Sequence, residues 1–161
     1  MTDPVEHEKR ALRAEFRERR QLLSEAQRDA AAAGIAQQLD ALVAEQGATS
    51  IACYLSSPTE PGTRGFLAAA LEHGLRVLLP VTREDGLLDW AVASPDGGEV
   101  VGALGVPEPV GEVLGSIAVN DVDLMIIPAA AIDVGGGAWG GGAATTTRRS
   151  ARWRTGRPST R

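Results

Sequence analysis

Lys9, Arg13, Arg17 and Arg20 recur at spacings of four, four and three along the first twenty residues. At helical periodicity they fall in a stripe about 80° wide. Such a stripe could clamp phosphate oxygens while the rest of the helix is anchored. It reads equally well as a solvated face paired with Glu6, Glu8, Glu15 and Glu18. Glu60 is the second candidate. It stands in the Pro-bounded turn Ser56-Ser57-Pro58-Thr59-Glu60-Pro61-Gly62, directly after an apolar run. Ligands of open parallel sheets gather outside the carboxyl ends of the strands, which suits an acid at that place, although a turn acid can be no more than solvated. Trp90 could stack on a ring ligand or serve as a packing anchor. Gly105-Val106-Pro107-Glu108-Pro109 marks a stiff extended loop. His7 and His73 have no Cys or acidic partner at metal-ligand spacing, so no protein metal cluster is expected. There is no Gly-x-x-x-x-Gly-Lys-Ser/Thr loop and no nucleophile elbow.

The elements that would position these residues can be traced in order. Val5, Leu12, Phe16 and Leu23 share one face and predict a helix over 5–23. Ser24-Glu25-Ala26-Gln27 is a capping-box pattern that opens a second helix through Ile35, Leu39 and Val43, closed near Gly47. Ile51 to Leu55 predicts a short strand. Thr63 can cap a third helix carrying Phe66, Leu67, Ala70 and Leu71, and His73-Gly74 reads as its end. Leu75 to Val81 is a second strand, with Pro80 near its end where a missing donor is tolerable. Leu87 to Ala93 alternates like a half-exposed strand. The run Asp123-Leu124-Met125-Ile126-Ile127-Pro128 has the continuous apolarity of a central strand covered on both faces. Strand, helix, strand in this order predicts an α/β layered domain with a mostly parallel central sheet flanked by helices, the two leading helices packing against it.

Composition sets the broad class. The chain has 161 residues, 43% of them hydrophobic but only 4% aromatic, so a core built of Leu, Val, Ile and Ala is expected. The charged N-terminus, the absence of a spanning apolar stretch and the lone Cys53 point to a cytoplasmic protein without membrane attachment. Cys53, inside an apolar run, reads as a buried small residue rather than a reactive thiol. The net charge of -5 conceals a break. All 21 acids and ten of the 16 basic residues precede residue 134, whereas the last 28 residues carry six Arg and no acid. Val134 is also the last Val, Ile, Leu, Met or Phe. The expected organisation is one α/β domain over 1–133 and a Gly/Arg-rich tail over 134–161 that cannot bury enough apolar surface to order itself. The tail lacks aromatics interleaved with its Arg residues beyond Trp153, so a nucleic-acid partner is not expected.

Taken together, these short motifs match one family. Lys9-Arg10-Ala11-Leu12-Arg13 resembles the Lys-x-x-Leu-Arg signature of 5-formyltetrahydrofolate cyclo-ligases, also called methenyltetrahydrofolate synthetases, and Arg19-Arg20 followed by Leu23-Ser24 continues it. Tyr54-Leu55-Ser56 with Glu60 and Thr63 resembles the family's strand and Glu-x-x-Thr turn. Val77-Leu78-Leu79-Pro80, the Gly105 to Pro109 segment and the Asp123 to Pro128 run follow in family order, with Asp133 after them. The likeness covers residues 9–133.

Beyond Asp133 the family carries Arg-Leu-Gly-Arg-Gly-x-Gly-Tyr-Tyr-Asp, a phosphate-cradling loop, where this chain reads Ala138-Trp139-Gly140-Gly141-Gly142-Ala143-Ala144-Thr145-Thr146-Thr147. Read one base out of frame from Gly137, the codons permit that loop. The Trp139 codon TGG completes a Leu codon and begins a Gly codon, and the three Thr codons supply the AC of Tyr, Tyr and Asp. A one-base frameshift near Gly135 to Gly137 is therefore the expected origin of the tail, with the alternative of a genuine Gly-rich flexible end.

The resemblance implies ATP-dependent cyclisation of 5-formyltetrahydrofolate to 5,10-methenyltetrahydrofolate, with ATP and Mg²⁺ as cofactors, a reduced folate as substrate and a monomeric enzyme. It implies ATP contacts from Lys9 and Arg13, and from Gly140 and Gly142, which fall at matching glycine positions. Folate contacts are implied for Leu55 and Glu60, with Trp90 flanking the same pocket. It assigns no general acid or base. It also implies C-terminal strands that this chain does not carry. Two alternatives differ in class: a non-catalytic folate- or nucleotide-binding module or decayed paralogue, and a sugar-phosphate-isomerase-like enzyme, for which no base is found.

Overall fold

The computed structural model describes residues 4–102, 105–132, 134, 135 and 137–139. It opens with helix α1 (Pro4–Gln21) and helix α2 (Glu25–Gln46), joined by a short link at Ser24. Pro4 suits the first turn of α1, where its missing N-H would have no partner in any case. The capping box at the start of α2 forms as the sequence predicts. Gln27 N-H donates to Ser24 Oγ at 3.2 Å and Ser24 N-H donates to Gln27 Oε1 at 2.9 Å. Gly47 closes α2 at φ 60, a left-handed conformation that glycine adopts without steric cost.

Strand β1 (Ser50–Cys53) follows, then helix α3 (Arg64–Glu72), strand β2 (Arg76–Thr82) and strand β3 (Leu88–Val92). A small ribbon pairs β4 (Glu99–Val101) with β5 (Pro107–Pro109). After it come β6 (Val113–Leu114), a 3-10 helix (Ser116–Asp121), β7 (Leu124–Ile126) and the antiparallel pair β8 (Ala131–Ile132) and β9 (Ala138–Trp139). The pairing of β8 with β9 crosses the composition break at residue 134, so secondary structure does not end where the composition changes.

The main sheet has the order β6-β3-β2-β1-β7. β1 is parallel to both β2 and β7, while β3 runs antiparallel to its neighbours β2 and β6. Four of the five strands therefore share one direction, and the α/β class with a mostly parallel sheet holds. The ladder between β1 and β2 ends at Leu78, so Pro80 lies past the point where β1 would need its N-H.

Strand alternation divides the core into two layers. Ile51, Cys53, Leu55, Val77 and Leu79 face Phe66, Leu67 and Ala70 of α3, with Ala36, Leu39 and Val43 of α2 packed over them. Ala52, Leu78 and Trp90 face the other way, against Leu114, Met125 and the 3-10 helix residues Ala118 and Val119. Burying a side chain such as Phe66 contributes roughly 1.5–3 kcal/mol.

Two expectations need correction. Among the described residues, α1 sends no side chain into either core cluster. Ten of its 18 residues are charged, which leaves too narrow an apolar stripe to dock on the sheet. The Asp123 to Pro128 run forms a strand of only three residues at the edge of the sheet, half-buried rather than covered on both faces. Among the described residues no strand pairs with its outer side. No helix of the described residues is long and apolar enough to cross a membrane.

Candidate functional site

The turn after β1 is folded back on the strand by two small hydroxyl residues. Thr63 N-H donates to Ser56 Oγ at 3.0 Å, Ser56 N-H donates to Thr63 Oγ1 at 3.3 Å, and Thr63 Oγ1 donates to Tyr54 O at 2.8 Å. Both residues are buried. Thr63 occupies the N-cap position of α3 but caps nothing with its side chain. Its hydroxyl ties the strand to the turn instead, a role that the capping pattern did not suggest. Tyr54 completes the clamp by donating its hydroxyl to Pro61 O at 2.7 Å.

Inside this loop Glu60 is oriented by its own backbone. Ser57 N-H donates to Glu60 Oε2 at 2.8 Å, and Glu60 N-H donates to Ser57 O at 3.1 Å. Glu60 Oε1 has no protein partner among the described residues. The Tyr54 hydroxyl is raised well above the ordinary tyrosine value, first by burial, then by Cys53 and Glu60, with Arg20 acting in the opposite sense. The acid of the turn and a cation of α1 therefore both act on this phenol.

Those two residues line one cleft of about 790 Å³, within the usual range for a small-molecule site. One wall is the end of α1 and the first half of α2, with Arg20, Arg28, Asp29 and Ile35; the other is the Ser56 to Gly65 loop. The walls approach closely at Gly62, where a Cβ would lie 2.9 Å from that of Ala32. Arg64, at the start of α3, forms a partition. It donates through Nε to Ser56 O at 3.1 Å and makes a two-pronged pair with Glu99, whose carboxyl is held below its usual range by that guanidinium. Beyond Arg64 lies a smaller hollow of about 240 Å³ lined by Leu55, Leu71, Leu79 and Pro109.

The candidate residues are thus separated in part. Glu60 stands in the main cleft. Leu55 is buried and lines the hollow on the far side of Arg64. Trp90 does not flank either space, because it is buried on the opposite face of the sheet from Leu55, paired across the ladder with Pro80. Its even position in the strand alternation turns it toward the 3-10 helix, and the packing alternative is the one realised. Arg13 lies two turns before Arg20 on the same helix face, about 10 Å along the axis, and is not among the cleft-lining residues. The Lys9 side chain, Gly140 and Gly142 fall outside the described residues.

Arg20 and Arg28 are the cations that line the cleft together with Arg64. Arg20 was legible as part of the stripe. Arg28 carried no signal beyond being a charge near a helix start. Two further polar residues escaped sequence reasoning. Glu108 is buried and accepts Thr82 N-H at 2.7 Å through Oε1, so the stiff loop holds a structural acid. Gly102 must lack a side chain there, since a Cβ would lie 2.1 Å from the Glu108 carboxyl carbon. Asp123 accepts the N-H and hydroxyl of both Thr49 and Ser50 on Oδ2 at 2.9–3.2 Å, and these bonds, led by Thr49 N-H, hold its carboxyl below the ordinary range. It clamps the start of β7 to the start of β1.

Among the described residues no group of three or more His, Cys, Asp or Glu side chains could hold a metal ion.

The scaffold has relatives among known proteins. A 5-formyltetrahydrofolate cyclo-ligase from Mycolicibacterium smegmatis is 34% identical over 92 residues, which are 54% of this chain and 47% of that protein. The chain thus spans about half the length of this curated relative. An Aquifex aeolicus 5,10-methenyltetrahydrofolate synthetase matches in structure with a TM-score of 0.63 and 27% identity, over 78% of this chain and 62% of the other. A Mycoplasma pneumoniae 5,10-methenyltetrahydrofolate synthetase shares the fold at a TM-score of 0.63 and 19% identity, over 84% and 72%. The profile of the 5-formyltetrahydrofolate cyclo-ligase family matches residues 5–152, running past residue 133 into the Gly-rich segment. With most of its length matched, this chain belongs to the 5-formyltetrahydrofolate cyclo-ligase family.

Proposed function

We propose that the chain binds 5-formyltetrahydrofolate in the cleft between α1, α2 and the Ser56 to Gly65 loop, as part of an ATP-dependent ring closure to 5,10-methenyltetrahydrofolate. The observation that carries this reading is Glu60, which is held by Ser57 with one carboxylate oxygen left over, in a cleft at the carboxyl end of β1. A carboxylate so placed accepts the N-H groups of a pterin edge. Leu55, which lines the hollow beyond Arg64 rather than this cleft, is the second folate contact that the reading assigns.

The chemistry follows from a poor leaving group. The formamide oxygen of the substrate takes the γ-phosphoryl of ATP, releasing ADP. N10 then attacks the activated carbon, loses its proton, and the ring closes as phosphate departs with that oxygen. Phosphoryl transfer asks the protein mainly for positioning and neutralisation of charge. Lys9 and Arg13, on the stripe that leads along α1 from Arg20, are the cations assigned to the ATP phosphates. Gly140 and Gly142 are assigned to the same phosphates through backbone N-H groups. A monomeric cytoplasmic enzyme is the setting this reading implies.

The chain as written lacks the Arg, Tyr and Asp residues of the family's phosphate loop. Losing that cation and acid should lower turnover by a factor on the order of a thousand or more. The test is the near-ultraviolet absorbance of the methenyl product, followed with ATP and 5-formyltetrahydrofolate. This chain should give negligible turnover, and a version with the frame restored after Gly135 should give a normal rate. A normal rate from the chain as written would contradict the account. The same loop departure favours a second reading, a folate-binding module without catalysis, which binds folate but gains no activity when the frame is restored.

A further inference from the structure

Two cations of the cleft, Arg20 and Arg28, have no ion-pair partner among the described residues. Of its three arginines, Arg64 is committed to Glu99 and Ser56 O. Arg28 gives one nitrogen to Leu23 O at 2.7 Å and has no ion-pair partner among the described residues. Arg20 is half-buried, and its Nε is shut away from solvent with no hydrogen-bond partner. A guanidinium nitrogen buried without an acceptor costs free energy, and a ligand oxygen would remove that cost. Both arginines project from the helical wall of the cleft, while Glu60 stands on the loop wall. Apart from Asp29 on the helical wall and Arg64, which is committed to Glu99, the cleft has cationic donors on one wall and a carboxylate acceptor on the other.

Resting on the folate reading above, we propose that Arg20 and Arg28 bind the glutamyl carboxylate of the substrate while Glu60 takes the pterin end. A reduced folate has the matching polarity. Its pterin presents N-H donors, its glutamate presents carboxylates, and the linker between them is largely apolar. Planar guanidinium groups suit carboxylate oxygens, to which they can donate two parallel hydrogen bonds.

Equilibrium titration of the full chain with three probes separates the possibilities: 5-formyltetrahydrofolate, 5-formyltetrahydropteroate, which lacks the glutamate, and ATP. The unaltered chain should bind the folate more tightly than the pteroate. Arg20→Gln should weaken folate binding roughly tenfold or more and leave pteroate binding unchanged, which also reports an intact fold. Arg28→Gln should act in the same direction, and Arg20→Lys should recover part of the loss. Glu60→Gln should weaken both folate and pteroate. Equal losses for folate and pteroate in Arg20→Gln, or a loss confined to ATP, would overturn the carboxylate assignment while leaving the folate site standing. Failure of the unaltered chain to bind either pterin would overturn the folate reading and this inference with it.

Discussion

Single residues of this chain do work that their types alone did not announce. Thr63 reads as a helix cap and acts as a tie between strand and turn. Asp123 reads as the first residue of an apolar strand and collects four hydrogen bonds from Thr49 and Ser50. Its carboxyl lies below the ordinary 3.8, so the stabilisation is present above that value and is lost as pH falls through the depressed folded value. Asp123→Asn should therefore be less stable than the native chain near neutral pH, with the difference shrinking below about pH 4; urea midpoints measured across that range would show it. Cys53, by contrast, is the buried small residue that its apolar run predicts. Burial pushes its thiol up to about 12, so a thiol reagent at pH 8 should leave it unmodified in the folded protein and label it after unfolding. Both outcomes are readable by mass. Glu60 was visible as a turn acid following a strand, but the partition formed by Arg64 and Glu99 was not. That pair joins residues 35 positions apart, and no local pattern encodes such a contact.

At the level of elements, local chemistry was the most legible part of the fold. The capping box at Ser24 and the left-handed Gly47 both formed as written, because each depends only on residues within one helical turn. Ser24→Ala should cost about 1 kcal/mol of stability, measurable as a lowered thermal midpoint. What sequence could not give was where an element docks. The apolar side chains of α1 that are described stay out of both core layers, on a helix where ten of 18 residues are charged. Trp90 sits on a correctly predicted strand, but which face it takes depends on the register between β2 and β3. One residue of slip would have turned it the other way. Gly62 carries a similar lesson. Glycine there reads as a turn residue, whereas the structure needs it for the close approach of the loop to Ala32. Gly62→Ala should push α2 away from the loop and weaken folate binding, and a variant with native affinity would contradict that role for the contact.

For the molecule as a whole, family order and spacing carried more than any one motif, since each is short and open to a bland reading. The match now extends over residues 5–152, and the mostly parallel sheet places the carboxyl end of β1 beside the helical pair. Lys9, Gly140 and Gly142 belong to the phosphate side of the same proposal, and Glu60 to its pterin side. The whole account rests on the cleft of Arg20, Arg28 and Glu60 being a folate site. Calorimetric titration of this chain with 5-formyltetrahydrofolate, beside the Glu60→Gln variant, tests that most directly. The account predicts saturable one-to-one binding that weakens roughly tenfold in the variant. Equal affinity in the two proteins, or no heat of binding in either, would contradict it.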